Sequence, residues 1–195
     1  KDNNTVDKLQ KEFNPSTWPR LLYKLETYKS YILLSLGLFI VLCWLTLQYG
    51  VPLTSKIIAT YLPGSLYEQV DAQTLKILEN RYLKPTQLKA STVNDLQKHF
   101  KPLIQKHSKY NLQIIFKHAD KLGANAFALP GGTVIFTDEM VKLAKNKQEL
   151  TAVLAHETGH VVHRHGMRQL VQKSLLSFAL LAITGDASGT SEIFL

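Results

Sequence analysis

Between Ser30 and Ser55 the chain carries no Asp, Glu, Lys or Arg. The heart of this stretch, Tyr31 to Tyr49, is apolar all round and not on one face only. A helix needs about 20 such residues to cross the hydrocarbon core of a bilayer. A surface helix of a water-soluble domain would instead keep a polar face. Residues 30–50 are therefore expected to form one transmembrane helix, with Tyr31 and Tyr49 at the interfaces and Pro52 ending the helix soon after. Arg20, Lys24 and Lys29 precede the run closely, and only Lys56 follows it closely. The positive-inside bias then predicts a single-pass protein, its N-terminal segment 1–29 cytoplasmic and its large domain on the periplasmic (or equivalent non-cytoplasmic) side. Within that segment Trp18, Leu21, Leu22 and Leu25 can share a face, so Phe13 to Tyr28 is expected to lie along the membrane surface. The lipid bilayer is thus the first expected partner.

The chain has 195 residues, enough for one domain with its own core beside the anchor. Its net charge of +8 does not point to nucleic acid, because the basic residues are scattered (Lys76, Lys84, Lys98, Lys106, Lys117, Lys142) and form no stripe. A solvated surface with weak attraction to anionic lipid accounts for them, and no nucleic-acid partner is expected. Cys43 is the only cysteine, which excludes an intramolecular disulfide and a Cys-pair zinc site.

Beyond the anchor, residues 51–110 read as a helical lead-in. Ile57 to Asn80 is helical apart from a break at Leu62-Pro63-Gly64, and Leu66, Val70, Leu75 and Leu78 are available to a core. Tyr82 to Ala90 is a connector. Thr92 with Asp95 offers an N-cap to a helix carrying Leu96, Phe100, Leu103 and Ile104, which Pro102 weakens or kinks. Residues 111–195 then form the core. Leu112, Ile114 and Phe116 alternate with other residues as in a strand. Asn125 to Thr137 reads as two short strands around Pro130-Gly131-Gly132. Asp138 is placed to cap a short helix through Ala144, and Asn146 with Glu149 makes a capping-box start for the next helix.

That next helix carries His156-Glu157-Thr158-Gly159-His160. Two His four residues apart on a helix lie about 40° apart around the axis and about 6 Å apart along it, so both rings can reach one metal ion. Glu157 points to the side of the pair, where it can reach a water without taking a coordination position. This is why H-E-x-x-H spacing serves hydrolysis. The bland alternative is a purely structural His pair. Leu150, Val153, Leu154 and Val161 give the helix an apolar face, and polar groups at its middle need a partner. His163 falls one turn further along, about 10 Å in rise from His156, too far to share the ion comfortably. His163 and His165 are expected to be supporting or surface residues. Ser174 to Ile183 is apolar nearly all round but too short to span a bilayer. A buried helix under the site is expected, with an interfacial segment as the alternative.

Three blocks carry a family resemblance: Gly123 to Gly132 with the following Thr-Val-Ile-Phe-Thr; Leu154 to His165; and Gln172 to Asp186. Together they resemble the HtpX, CAAX-prenyl-protease and mitochondrial Oma-type family of membrane-associated zinc peptidases, bacterial Oma-type members above all. The resemblance implies an α+β fold, a gluzincin-like metallopeptidase domain with a small sheet and an H-E-x-x-H helix, preceded here by one transmembrane helix. It implies one Zn²⁺ per chain on His156 and His160, Glu157 as catalytic base, and a polypeptide substrate paired along Asn125, Ala126, Phe127 and Ala128. Family members place a third ligand, a Glu, on a later helix. Glu192 lacks that context, so the third ligand is expected beyond Leu195, in a longer chain.

The expected function is a membrane-anchored zinc endopeptidase acting on membrane or envelope proteins in quality control. A membrane-anchored chaperone or adaptor that binds extended polypeptides without cleaving them is the alternative. A deformylase-type hydrolase would need a Cys ligand that the domain lacks.

Overall fold

The structure is a computed structural model and describes residues 29–185. The expectations for Phe13 to Tyr28, and for Asp186 and Glu192, fall outside the described residues. The chain divides after Gly50 into two compact units.

In the first unit, α1 spans Lys29–Leu45 and runs into a five-residue π-helical turn, Thr46–Gly50. No residue of α1 is buried, and its apolar side chains are exposed all round. The second unit opens with α2, Val51–Tyr61. From Lys29 to Tyr61 the chain is one 33-residue helix, long and apolar enough by composition to cross a membrane. Pro52 therefore does not end the helix. It sits one residue into α2, directly after the π turn. A proline removes an N–H and crowds the carbonyl four residues back, and the wider π turn is where a helix absorbs such a defect.

After the Pro63 break, α3 spans Gly64–Arg81. A two-residue strand β1, Lys84–Pro85, lies in the stretch expected to be a plain connector. Helix α4 spans Ala90–Lys106 and carries Pro102 within it. It starts earlier than Thr92: Lys89 is the N-cap residue, without a side-chain cap bond. The strands follow as β2 (Gln113–His118), β3 (Ala126–Ala128) and β4 (Thr133–Thr137). They form a mixed sheet in the order β1-β2-β4-β3, with β2 and β4 parallel and the outer pairs antiparallel. This leaves β3 at the sheet edge.

Helix α5, Asp138–Leu143, is capped by Thr137, whose hydroxyl accepts from Met140 N; Asp138 is its first residue and not its cap. Asp138 is buried instead, accepting from Thr86 Oγ1 and Gln87 N, both at 2.6 Å. Helix α6, Lys147–Val162, starts as expected, with Glu149 N donating to Asn146 Oδ1 at 2.9 Å. Helix α7 spans His165–Thr184.

Both faces of the sheet are covered, as alternation in β4 requires. Val134 and Phe136 face Leu96 and Phe100 of α4 and Leu150 and Leu154 of α6. Phe100 stacks on Phe136 with ring centroids 5.6 Å apart. Ile135 faces the other way, against Leu83, Ala119 and Leu129, with Leu75 and Leu78 of α3 beside them. A third cluster, Ala59, Tyr67 and Met167, ties α2 and α3 to the start of α7. The far half of α7 is not buried as expected: Phe178 is 69% and Ile183 84% exposed. Burial in α7 reaches Ser177, and the residues from Phe178 onward are exposed.

Candidate metal centre on the α6 helix

The α6 helix turns Leu150, Leu154, Thr158 and Val161 inward, the i, i+4 and i+3 spacing of a helix face. That burial fixes its rotation and leaves His156, Glu157 and His160 on the other side. The two imidazoles converge: His156 Nε2 and His160 Nε2 are 3.2 Å apart. Two nitrogens each about 2.05 Å from one tetrahedral zinc ion would be about 3.3 Å apart. The donor set and its spacing therefore fit such an ion. Among the described residues, no third His, Cys, Asp or Glu completes a group of three with this pair.

Behind His160 stands His165. Its Nδ1 is 3.0 Å from His160 Nδ1. With the shared proton on His160 Nδ1, the Nε2 lone pair of His160 is free to ligate, which is the usual support for a metal-bound histidine. His165 is held below the ordinary imidazole range, first by burial and then by the nearby His160, His163 and Arg168. It is thus kept in the neutral form that can accept this proton. His163 ends α6 as its C-cap and stacks on His165 with ring centroids 5.5 Å apart, away from His156.

Glu157 Oε2 accepts a hydrogen bond from Ala128 N at 3.1 Å. This places the edge strand β3 against the His pair. Leu129 N donates to Thr133 O, and Thr137 N to Asn125 O. Antiparallel strands alternate, so Asn125, Phe127 and Leu129 pair inward with β4, while Ala126 and Ala128 turn their backbone groups outward. Of the four expected strand residues, Ala126 and Ala128 turn their backbone groups to the edge, with the Ala128 N–H already bonded to Glu157, and the other two hold the strand in the sheet.

The loop between β3 and β4 is held by a residue that sequence reasoning missed. Asp71 of α3, 7% exposed, accepts from Gly131 N at 2.6 Å and from Thr133 N at 3.1 Å. A Cβ on Gly131 would lie 2.8 Å from the Asp71 carboxyl carbon. Gly132 has φ +109°, a conformation that side chains disfavour. The only sequence signal for Asp71 is an acid directly after Val70 on the inward side of α3. Arg164 was likewise missed. It adopts φ +53° between α6 and α7, and its guanidinium donates to Ala59 O at 2.6 Å and Thr60 O at 2.8 Å. These are end carbonyls of α2, so Arg164 caps that helix and fixes where α7 begins.

A mixed sheet with an edge strand laid against a helix bearing two convergent His and a Glu can hold a metal ion beside an extended chain, as a metal-dependent peptidase domain requires. The sequence profile of peptidase family M48 matches residues 90–194, and the chain belongs to that family. It is 40% identical over 73 residues to the mitochondrial metalloendopeptidase OMA1 of Schizosaccharomyces pombe, which covers 36% of this chain and 22% of that protein. It is 40% identical over 53 residues to the beta-barrel assembly-enhancing protease of Yersinia pestis, covering 27% of this chain and 11% of that one. With the OMA1 of Saccharomyces cerevisiae it shares 38% over 64 residues, 31% of this chain and 19% of the relative. The chain thus matches about a fifth or less of the length of these relatives.

Proposed function

We propose that this chain carries the core of a membrane-anchored zinc endopeptidase with a gluzincin-like H-E-x-x-H helix. The observation that carries the reading is the pair of His Nε2 atoms 3.2 Å apart beside a Glu that contacts an edge strand. His156 and His160 hold the ion. When bound, zinc supplies a Lewis acid and lowers the pKa of an attached water towards about 7. Glu157 acts as general base towards the attacking water and hands the proton to the leaving amine. The outward backbone groups of Ala126 and the carbonyl of Ala128 pair with an extended substrate, while the Ala128 N–H holds Glu157 beside the scissile peptide. His165 keeps His160 in the ligating tautomer.

The 33-residue helix supports a single span. At about 1.5 Å per residue it is near 50 Å long, against about 30 Å of hydrocarbon. The proposed topology places the N-terminus in the cytoplasm and the catalytic domain on the opposite side, with membrane or envelope proteins as substrates in quality control. Protease added to intact spheroplasts should then cut near Lys106, and protection there reverses the topology.

The activity is tested on the intact protein by comparing wild type with Glu157→Gln for zinc content and casein cleavage. Zinc retained and cleavage lost supports the assignment. A wild type with neither zinc nor cleavage, but with affinity for unfolded chains, would mark a polypeptide-binding adaptor instead.

A further inference from the structure

His118 ends β2 with its side chain 9% exposed, and three carboxylates surround the ring. Asp120 Oδ1 is 2.8 Å from Nε2, Glu139 Oε1 is 2.6 Å from Nδ1, and Asp138 Oδ2 is 4.0 Å from Nδ1. Neither a neutral ring nor an imidazolium bonded through both nitrogens describes this arrangement, because Nδ1 makes no hydrogen bond. A neutral imidazole carries one N–H and cannot donate to carboxylates at both nitrogens. Nδ1 is shielded from solvent and makes no hydrogen bond, so the close Glu139 oxygen lies off the ring N–H direction.

The negative charge is also poorly matched. Asp138 is wholly buried, and its bonds come from two neutral donors, the Thr86 hydroxyl and the Gln87 amide. Glu139 Oε2 accepts from the Ala119 amide at 3.2 Å. Lys84 reaches Asp120 at 3.4 Å, but in an exposed and well-screened pair. A buried carboxylate without a cation is costly.

We propose that His118, Asp120 and Glu139 form a structural site for a divalent cation of the zinc or manganese type. Their ligating atoms all lie within 4.8 Å of one another, a span that small side-chain rotations close onto an ion with bonds of about 2.0–2.2 Å. One imidazole and two carboxylates suit those metals better than calcium or copper. The site is separate from the α6 pair. Ala128, which meets Glu157, pairs with Val134 at the start of β4, whereas Lys117, just before His118, pairs with Thr137 at its end. There the ion ties the loop after β2 to the first turn of α5. That loop delivers Asn125, whose amide donates to Thr137 Oγ1 at 2.8 Å, and so sets the start of the edge strand.

The test uses the intact protein with His156→Ala and His160→Ala, stripped by chelator and titrated calorimetrically with Zn²⁺ and, separately, Mn²⁺. One ion per chain is expected to remain, with affinity weakened at least about tenfold when Glu139→Gln or Asp120→Asn is added. Asp120 is largely exposed, so its substitution leaves folding intact. In the chain with both His present, zinc content should fall by one ion per chain on Glu139→Gln, a count independent of whether the α6 pair binds metal. No ion in the double-His variant, or binding undiminished by Asp120→Asn and Glu139→Gln together, overturns the site. Ring ¹⁵N shifts showing both His118 nitrogens protonated in excess zinc also overturn it.

Discussion

Glu157 Oε2 and Ala128 N are 3.1 Å apart, joined by a hydrogen bond from the edge strand to the α6 helix. The proposed base and the proposed substrate-pairing strand are thus positioned by one contact. Ala128 spends no sheet hydrogen bond on it, because its N–H faces away from β4.

Glu157→Gln should keep the fold and the metal while removing the base. Loss of a positioned general base costs about 10²–10⁴ in rate, so casein cleavage should fall at least about 100-fold with zinc content unchanged. Ala128→Pro isolates the contact. A proline is tolerated on an edge strand whose N–H points outward, yet it deletes the donor to Glu157. Cleavage should fall while the urea midpoint stays near wild type. Cleavage at the wild-type level would show that Glu157 does not need this anchor.

His156→Ala or His160→Ala should each abolish stoichiometric zinc at the α6 centre, because one imidazole is no site. Neither ring is fully buried, so the cost in stability should stay within about 0.5 kcal/mol for the metal-free protein. Metal analysis beside chemical denaturation in chelator separates the two effects. A zinc count that does not change refutes the assignment of these residues.

The parts legible in the sequence were those set by neighbours along the chain. Alternation at Leu112, Ile114 and Phe116 located β2, Pro130-Gly131-Gly132 marked the hairpin, and Asn146 with Glu149 marked the start of α6. The i, i+4 spacing alone brings His156 to His160. What could not be read depends on distant residues. Asp71 is 60 positions from the Gly131 amide it binds, and Arg164 is 105 positions from the Ala59 carbonyl it caps. Asp138 looked like a cap because it precedes a helix. Its carboxylate is taken by Thr86 and Gln87, which leaves the capping to Thr137. The apolar run in α7 looked like core because composition says nothing about which neighbours are present to cover it.

His165 gives a pH dependence of definite sign. Its ring is held below the ordinary imidazole value, so over the window between its folded value and about 6.5 the unfolded chain binds more protons than the folded one. Stability of the metal-free protein should therefore fall as pH drops through that window. His165→Asn should flatten this part of the profile. The same variant removes the partner of His160 Nδ1, and loss of such support typically weakens metal binding about 10–100-fold. Urea midpoints at several pH values in chelator, with zinc titrations at neutral pH, measure both. An unchanged zinc affinity would show that His160 keeps its ligating tautomer without His165.

Asp71 offers the sharpest separation of scaffold from chemistry. Its carboxylate is buried and binds the amides of Gly131 and Thr133, the two ends of the turn that leads from β3 into β4. Asp71→Ala leaves two amides without an acceptor, at about 1–3 kcal/mol for each group that stays buried. Asp71→Asn keeps one carbonyl oxygen and should cost less. Both should lower the urea midpoint in that order. Because the turn sets the register of Ala128 against Glu157, cleavage per folded molecule should fall too, while zinc content holds. A stable Asp71→Ala protein with wild-type cleavage would mean that the glycines alone hold the turn. A loss of zinc would mean instead that α3 reaches the His pair as well as the strand.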